Sequence, residues 1–219
     1  MTSIASELQI VRETPRAPLA DGATLDLLVV AVSGTHCAGI DMDSGALVRA
    51  WSGAPPATRI RPYDVVQVTC DGDVDAIPDP AQPEAVSLSQ PPVVADRMTG
   101  RRCERLIRPL LHPRHQPLLG VRASAIPFWQ RSADHPSIAV VEPEGRITMV
   151  RNGSYVGCRF EWQDHQRELP CLDRALASHM DRHGRTRLTA GKGDRLVVSL
   201  TAPIDGRCHK VVETVLRRL

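Results

Sequence analysis

Arg49 and Trp51 stand two apart in the run Ala46-Leu47-Val48-Arg49-Ala50-Trp51. In a β-strand that spacing puts both side chains on one face, with Leu47, and leaves Ala46, Val48 and Ala50 on the other. A guanidinium fork suits phosphate oxygens and base edges, and an indole face stacks on bases. The pair is therefore a candidate nucleic-acid platform, which Arg59, Arg61 and Tyr63 extend. The small residues on the opposite face suit a tight barrel interior. The competing reading is that Trp51 packs under a loop as ordinary core, as tryptophans usually do.

A second candidate is a basic stripe: Arg97, Arg101, Arg102, Arg105, Arg108, Arg114, Arg122 and Arg131. Residues 1–94 carry a net charge of −7, residues 95–131 a net +6 and residues 132–219 a net +3. Arg101, Arg105 and Arg108 fall on one face of a helix, where they either follow a phosphate backbone or form a solvated face that offsets the acidic first part. Arginine outnumbers lysine 25 to 2, so the placement of the arginines is informative and their number is not. The whole-chain charge of +2 announces no polyanionic partner by itself.

Other constellations fail on spacing. Asp71-Gly72-Asp73-Val74-Asp75 opens like a calcium loop, but Ala76 and Gln82 occupy the positions that need glycine and glutamate. Cys103, His112 and His115, or Cys171, His179 and His183, offer metal-ligand types without a zinc spacing, and His179-x-x-x-His183 lacks the glutamate of a metalloprotease. Asp41, Asp64 and Asp173 would have to be the acids of a hydrolase, and nothing in their spacing favours one. There is no nucleophile elbow, phosphate loop or dinucleotide fingerprint. No cofactor, metal or catalytic residue is expected.

The elements that position these residues read as short strands with Gly and Pro turns. Strands are expected at 25–32, 36–40, 46–51, 64–70 and 85–88, then at 137–141, 146–150, 155–162, 195–201 and 208–216. Helices are expected at 96–111 and 172–183. Phe160 and Trp162 share a strand face and are expected in the core. Hydrophobic residues make up 42% of the chain, enough for a packed core. The six cysteines, spread without a CxxC pair, are expected to be free and half-buried. The first ten residues lack the pattern of a signal peptide, and no stretch approaches the roughly 18 apolar residues of a membrane helix. A cytoplasmic location without a membrane partner is the expectation.

Two segments resemble a known family. The stretch Cys37-Ala38-Gly39-Ile40-Asp41-Met42-Asp43-Ser44-Gly45-Ala46-Leu47-Val48-Arg49 is similar to the first hairpin of the dual OB-containing domain family. Ser199-Leu200-Thr201-Ala202-Pro203-Ile204-Asp205-Gly206-Arg207-Cys208-His209-Lys210-Val211-Val212 is similar to its C-terminal signature. The two stand in the family's order and frame residues 24–217. Leu47, Ala50 and His209 replace the tryptophan, proline and tyrosine that the family favours there.

The resemblance implies a mainly β fold with minor α: two tandem OB-like small β-barrels with one or two short helices. The expected layout is a flexible tail over 1–22, a first barrel over 23–95, a basic helical connector over 96–131 and a second barrel over 132–219. The function implied is binding or sensing of single-stranded or structured DNA or RNA without turnover. Expected contacts are Arg49, Trp51, Arg59, Arg61, Tyr63, Arg101, Arg105 and Arg108. A protein-interaction adaptor built on the same barrels is the alternative.

Overall fold

The structure is a computed structural model that describes residues 22–34, 36–52, 59–71, 81–132 and 135–218. It is mainly β, with two sheets and two short α-helices. The expected tail and the acidic loop at 72–76 lie outside the described residues.

The first sheet has six strands: β1 (Thr24–Ser33), β2 (His36–Asp41), β3 (Leu47–Ser52), β4 (Asp64–Thr69), β5 (Ala85–Leu88) and β6 (Val93–Arg97). They lie in the order β5-β3-β2-β1-β4-β6. β1, β2 and β3 form an antiparallel meander, β4 runs antiparallel to β1, and β5 runs parallel to β3. The circuit does not close as a full ladder; a single antiparallel bridge, Cys70 to Leu88, draws β4 and β5 together.

The second sheet has eight strands, seven in the order β12-β9-β10-β11-β14-β13-β8 and an eighth, β7, attached to β14. These are β7 (Ala125–Pro127), β8 (Ile138–Val141), β9 (Thr148–Asn152), β10 (Tyr155–Trp162), β11 (His165–Cys171), β12 (Arg187–Thr189), β13 (Arg195–Leu200) and β14 (Arg207–Leu216). Its connectivity repeats the first. β9, β10 and β11 form the meander, β14 runs parallel to β11, and β13 pairs antiparallel with both β14 and β8. β8 and β9, either side of the Pro143-Glu144-Gly145 turn, together take the place that β1 fills alone. No repeat is visible in the sequence; it lies in the pairing.

β1 reads as a continuous apolar run because both its faces are buried. Leu25, Leu27 and Val29 join Cys37, Val48, Ala50, Val66 and Val68 in the core of the first half. Leu28, Val30 and Ala31 face the other way, against Ile138, Val140, Val197 and Leu216 of the second half. β8 and β13 are shared in the same manner, since Ala139, Val141, Leu196 and Val198 turn into the second half's own core. A strand buried on both faces loses the alternation that one solvated face would impose. The two halves thus meet along a packed apolar seam. At the β1–β2 contact, a Cβ on Gly39 would lie 2.8 Å from Leu27 Cβ, so only glycine permits that approach.

Helix α1 (Arg101–Ile107) seats Cys103 and Ile107 in the seam and leaves Arg101, Arg105 and Arg108 exposed. The expected helix over 96–111 is shorter because residues 93–97 pair with β4 as β6 and Arg108–Leu110 tightens into a 3-10 turn before Leu111. Helix α2 (Arg174–Arg182) falls inside the expected 172–183 and is capped by the Asp173 carboxylate, which accepts from Leu176 N at 2.9 Å. Phe160 and Trp162 are core, each 1% exposed. All six cysteines are free, and they are fully rather than half buried.

Candidate nucleic-acid interface

The strand face bearing Leu47, Arg49 and Trp51 points at the second half of the molecule, not at solvent. Arg49 is 2% exposed. Its Nη1 donates to Glu213 Oε1 on β14 at 3.0 Å, and Ser199 Oγ donates to the same oxygen at 2.6 Å. The expectation of an outward arginine is corrected: the alternation is right, with Val48 and Ala50 in the core of the first half, but the opposite face is the interface between halves. Burial alone would push the Glu213 carboxyl up, but His36, the Arg49 charge and the Ser199 hydroxyl outweigh it and hold it at about 2. His36 Nε2 lies 3.9 Å from that carboxylate.

Trp51 is half-buried and stacks on His36 with ring centroids 4.5 Å apart. The His36 ring on which it stacks lies beside the buried ion pair. Trp51→Ala is therefore expected to cost about 1–3 kcal/mol of stability and to leave nucleic-acid affinity unchanged. Thermal melts run beside binding titrations check this; an unchanged melt with lost binding would restore the platform.

Tyr63 is also corrected. It is 7% exposed, sits at φ 75° and donates its hydroxyl to the backbone carbonyl of Arg217. Burial is the main cause that pushes its phenol up to about 12. Its hydroxyl ties down the end of β14.

Arg59 and Arg61 are exposed, on the segment that enters β4. They border a cleft of about 970 Å³ between the halves. Arg59, Ile60, Arg61 and Pro62 form one wall; Arg174, Leu176, His179 and Arg182 of α2, with Leu188 of β12, form the other. Val215, Arg217 and Arg218 come from the end of β14 and the residues beyond it. Six arginines thus converge on a floor that is partly apolar. None of the six is ion-paired to another described residue.

The two carboxylates in the lining are already engaged by backbone. Asp173 caps α2, and Asp194 accepts from Gly191 N at 2.8 Å and Arg218 N at 2.9 Å. Desolvation, then His183 and the arginines at 185, 182 and 217, hold the His179 pKa below its ordinary value. α1 lies beside this cleft: Glu104 pairs with Arg195 and also feels Arg218.

Arg174, Arg182, Arg217 and Arg218 were not among the expected contacts. Two come from α2 and two from the residues that follow β14, and only the Arg217-Arg218 doublet is conspicuous in the sequence. Asp41 caps the turn at Ser44, Asp64 pairs with Arg97, and Asp173 caps α2, so three dispersed acids hold local structure. Among the described residues the one gathering of three ligand-type side chains is Glu144, Glu161 and Asp164 at the surface, and the cysteine–histidine sets do not assemble.

These features define a mainly β protein of two like-connected halves with an arginine-lined cleft between them. No family model and no curated protein matches the sequence. Among solved structures the tetrameric p202 HIN2 is similar over 94% of this chain and 95% of that one, at 8% identity and a TM-score of 0.33. Among the described residues no helix is long and apolar enough to cross a membrane.

Proposed function

We propose that the protein binds nucleic acid, without turnover, in the cleft between its two halves. The observation that carries this reading is the convergence of Arg59, Arg61, Arg174, Arg182, Arg217 and Arg218 on one cleft, with its two acids occupied by backbone N–H groups. Guanidinium groups free of carboxylate partners are available for phosphate oxygens. Leu176, Leu188, Ile60 and Val215 offer apolar surface for sugars and base faces.

The pairing order supports an OB-like reading of each half: a three-stranded meander, a fourth strand antiparallel to the first and a fifth parallel to the third make a partly open five-stranded barrel. The exposed Arg101, Arg105 and Arg108 of α1 extend the positive surface beyond Arg218 and belong to the proposed contact set. Arg49 and Tyr63 leave that set because they are buried, and Trp51 leaves it because its ring is spent on His36.

A fluorescence anisotropy titration with short DNA and RNA strands tests the reading. Binding is expected to weaken steeply with salt, by a slope of about −0.7 per phosphate neutralised on a single strand. No anisotropy change at low salt with either nucleic acid would overturn it and leave the adaptor alternative.

A further inference from the structure

Trp129 is 74% exposed, the most exposed large apolar side chain among the described residues. The backbone that carries it is nevertheless hydrogen-bonded on both sides. It sits in a 3-10 turn, Phe128–Gln130, that follows β7. Phe128 N donates to Gly206 O at 2.9 Å, and Arg131 N donates to Phe128 O at 3.0 Å. The Arg131 guanidinium closes the far side by donating to His135 O at 2.9 Å. The indole lies over Gly206, where a Cβ would come within 3.4 Å of Trp129 Cζ3. An exposed indole carried on a hydrogen-bonded turn and resting on Gly206 loses little backbone freedom when a flat ligand stacks on it.

The surroundings are basic. Arg207 stands opposite Pro127 in the β7–β14 register and is exposed. Further along the same pair of strands, Lys210 N donates to Ser124 O and its Nζ to Val121 O, with exposed Arg122 at that end of β7. Burial and the adjacent Arg167 push the Lys210 ammonium down to about 8. Segments 121–131 and 204–210 contain one acid, Asp205. An aromatic platform beside an exposed arginine suits a nucleobase with its phosphate. Ile204, 55% exposed on the same turn, adds apolar surface.

We infer that Trp129, with Arg207 next to the glycine it covers, is a base-stacking anchor for a single strand at the end of β14 remote from the arginine cleft. This rests on the nucleic-acid reading of the cleft. The two sites are separated by the length of β14, ten residues, or roughly 30 Å at about 3.3 Å per residue. A strand long enough to reach from one to the other gains from both, whereas a very short one is held by the cleft alone.

The test compares labelled oligo-dT of about 4 and about 16 nucleotides, a range that brackets known site sizes. With the intact protein the longer strand is expected to quench tryptophan emission, and with Trp129→Phe to lower affinity little. Trp129→Ala is expected to weaken the longer strand about 5- to 100-fold, to leave the shorter strand unchanged and to melt like the intact protein. If Trp129→Ala binds both lengths as the intact protein does, the anchor falls and the cleft reading stands. If neither length binds the intact protein, both fall. Self-association of the intact protein that Trp129→Ala abolishes, seen in sedimentation without any change in strand affinity, would assign the turn to a second copy of the chain and overturn the anchor.

Discussion

Glu213→Ala is expected to destabilise the protein by about 3–5 kcal/mol, because it strands a buried arginine without its counter-charge. Arg49 and Glu213 are each 2% exposed and come from opposite halves of the molecule. The pair is incompletely satisfied among the described residues: Arg49 Nε and Nη2, His36 Nε2 and Glu213 Oε2 have no hydrogen-bond partner. Removing the carboxylate leaves the guanidinium and the Ser199 hydroxyl with nothing to donate to at that point. For a chain of this size each kcal/mol shifts the melting temperature by about 2–4 °C, so the loss is easily read in a thermal melt.

The double variant Arg49→Met, Glu213→Leu is expected to recover most of it, since an apolar pair of similar volume costs no charge burial. A Glu213→Ala melt within 1 kcal/mol of the intact protein, on about the scale of an exposed pair, would show that the seam opens to water there. The carboxylate also carries a pH signature. Its native pKa is lowered to about 2 against an ordinary 4.5, so its stabilisation is complete above about pH 4.5 and is lost as pH falls toward 2. Glu213→Gln should remove that acid limb from the stability profile.

The same pair shows where sequence reading succeeds and where it stops. Alternation along β3 correctly placed Val48 and Ala50 inward and Arg49 and Trp51 together on the other face. It could not say that the other face meets a second sheet, because a strand covered on both sides and a strand facing water differ only in what lies across from them. The unbroken apolar run of β1 carried a trace of that seam. β11 was missed for a local reason. Its polar residues, His165-Gln166-Arg167-Glu168, alternate weakly, and the β10–β11 turn is made by Gln163 and Asp164 at φ 55° and 57°, a two-residue turn without the glycine that usually signals one. The helix ends suffered from β6, whose pairing with β4 is a long-range contact. Of the candidate site, Arg59 and Arg61 were legible as arginines beside a strand; Arg174, Arg182, Arg217 and Arg218 were not, because α2 and the chain end reach the cleft only through the tertiary fold.

Replacing Arg61 and Arg217 together by glutamate is expected to weaken nucleic-acid binding by at least about 100-fold while the fold stays intact. Each guanidinium projects from a different half, and each is exposed and without an ion-pair partner among the described residues. Neither contributes a side chain to the packed seam. A charge-assisted hydrogen bond is worth about 1.5–3 kcal/mol, so losing two reaches roughly 3 kcal/mol or more before the repulsion of the new carboxylates is counted. The milder pair Arg61→Ala, Arg217→Ala should flatten the log–log salt plot by about 1.4, the share of two phosphates on a single strand. The single variants should each remove about half of that slope if both arginines grip one strand. Tyr63 holds the Arg217 backbone through its hydroxyl, a bond that both substitutions leave in place, so the melt should move by less than about 0.5 kcal/mol, as for ordinary surface changes. Unchanged affinity and an unchanged salt slope in the glutamate pair would take the cleft out of the binding surface. The exposed arginines of α1 would then be the next to test.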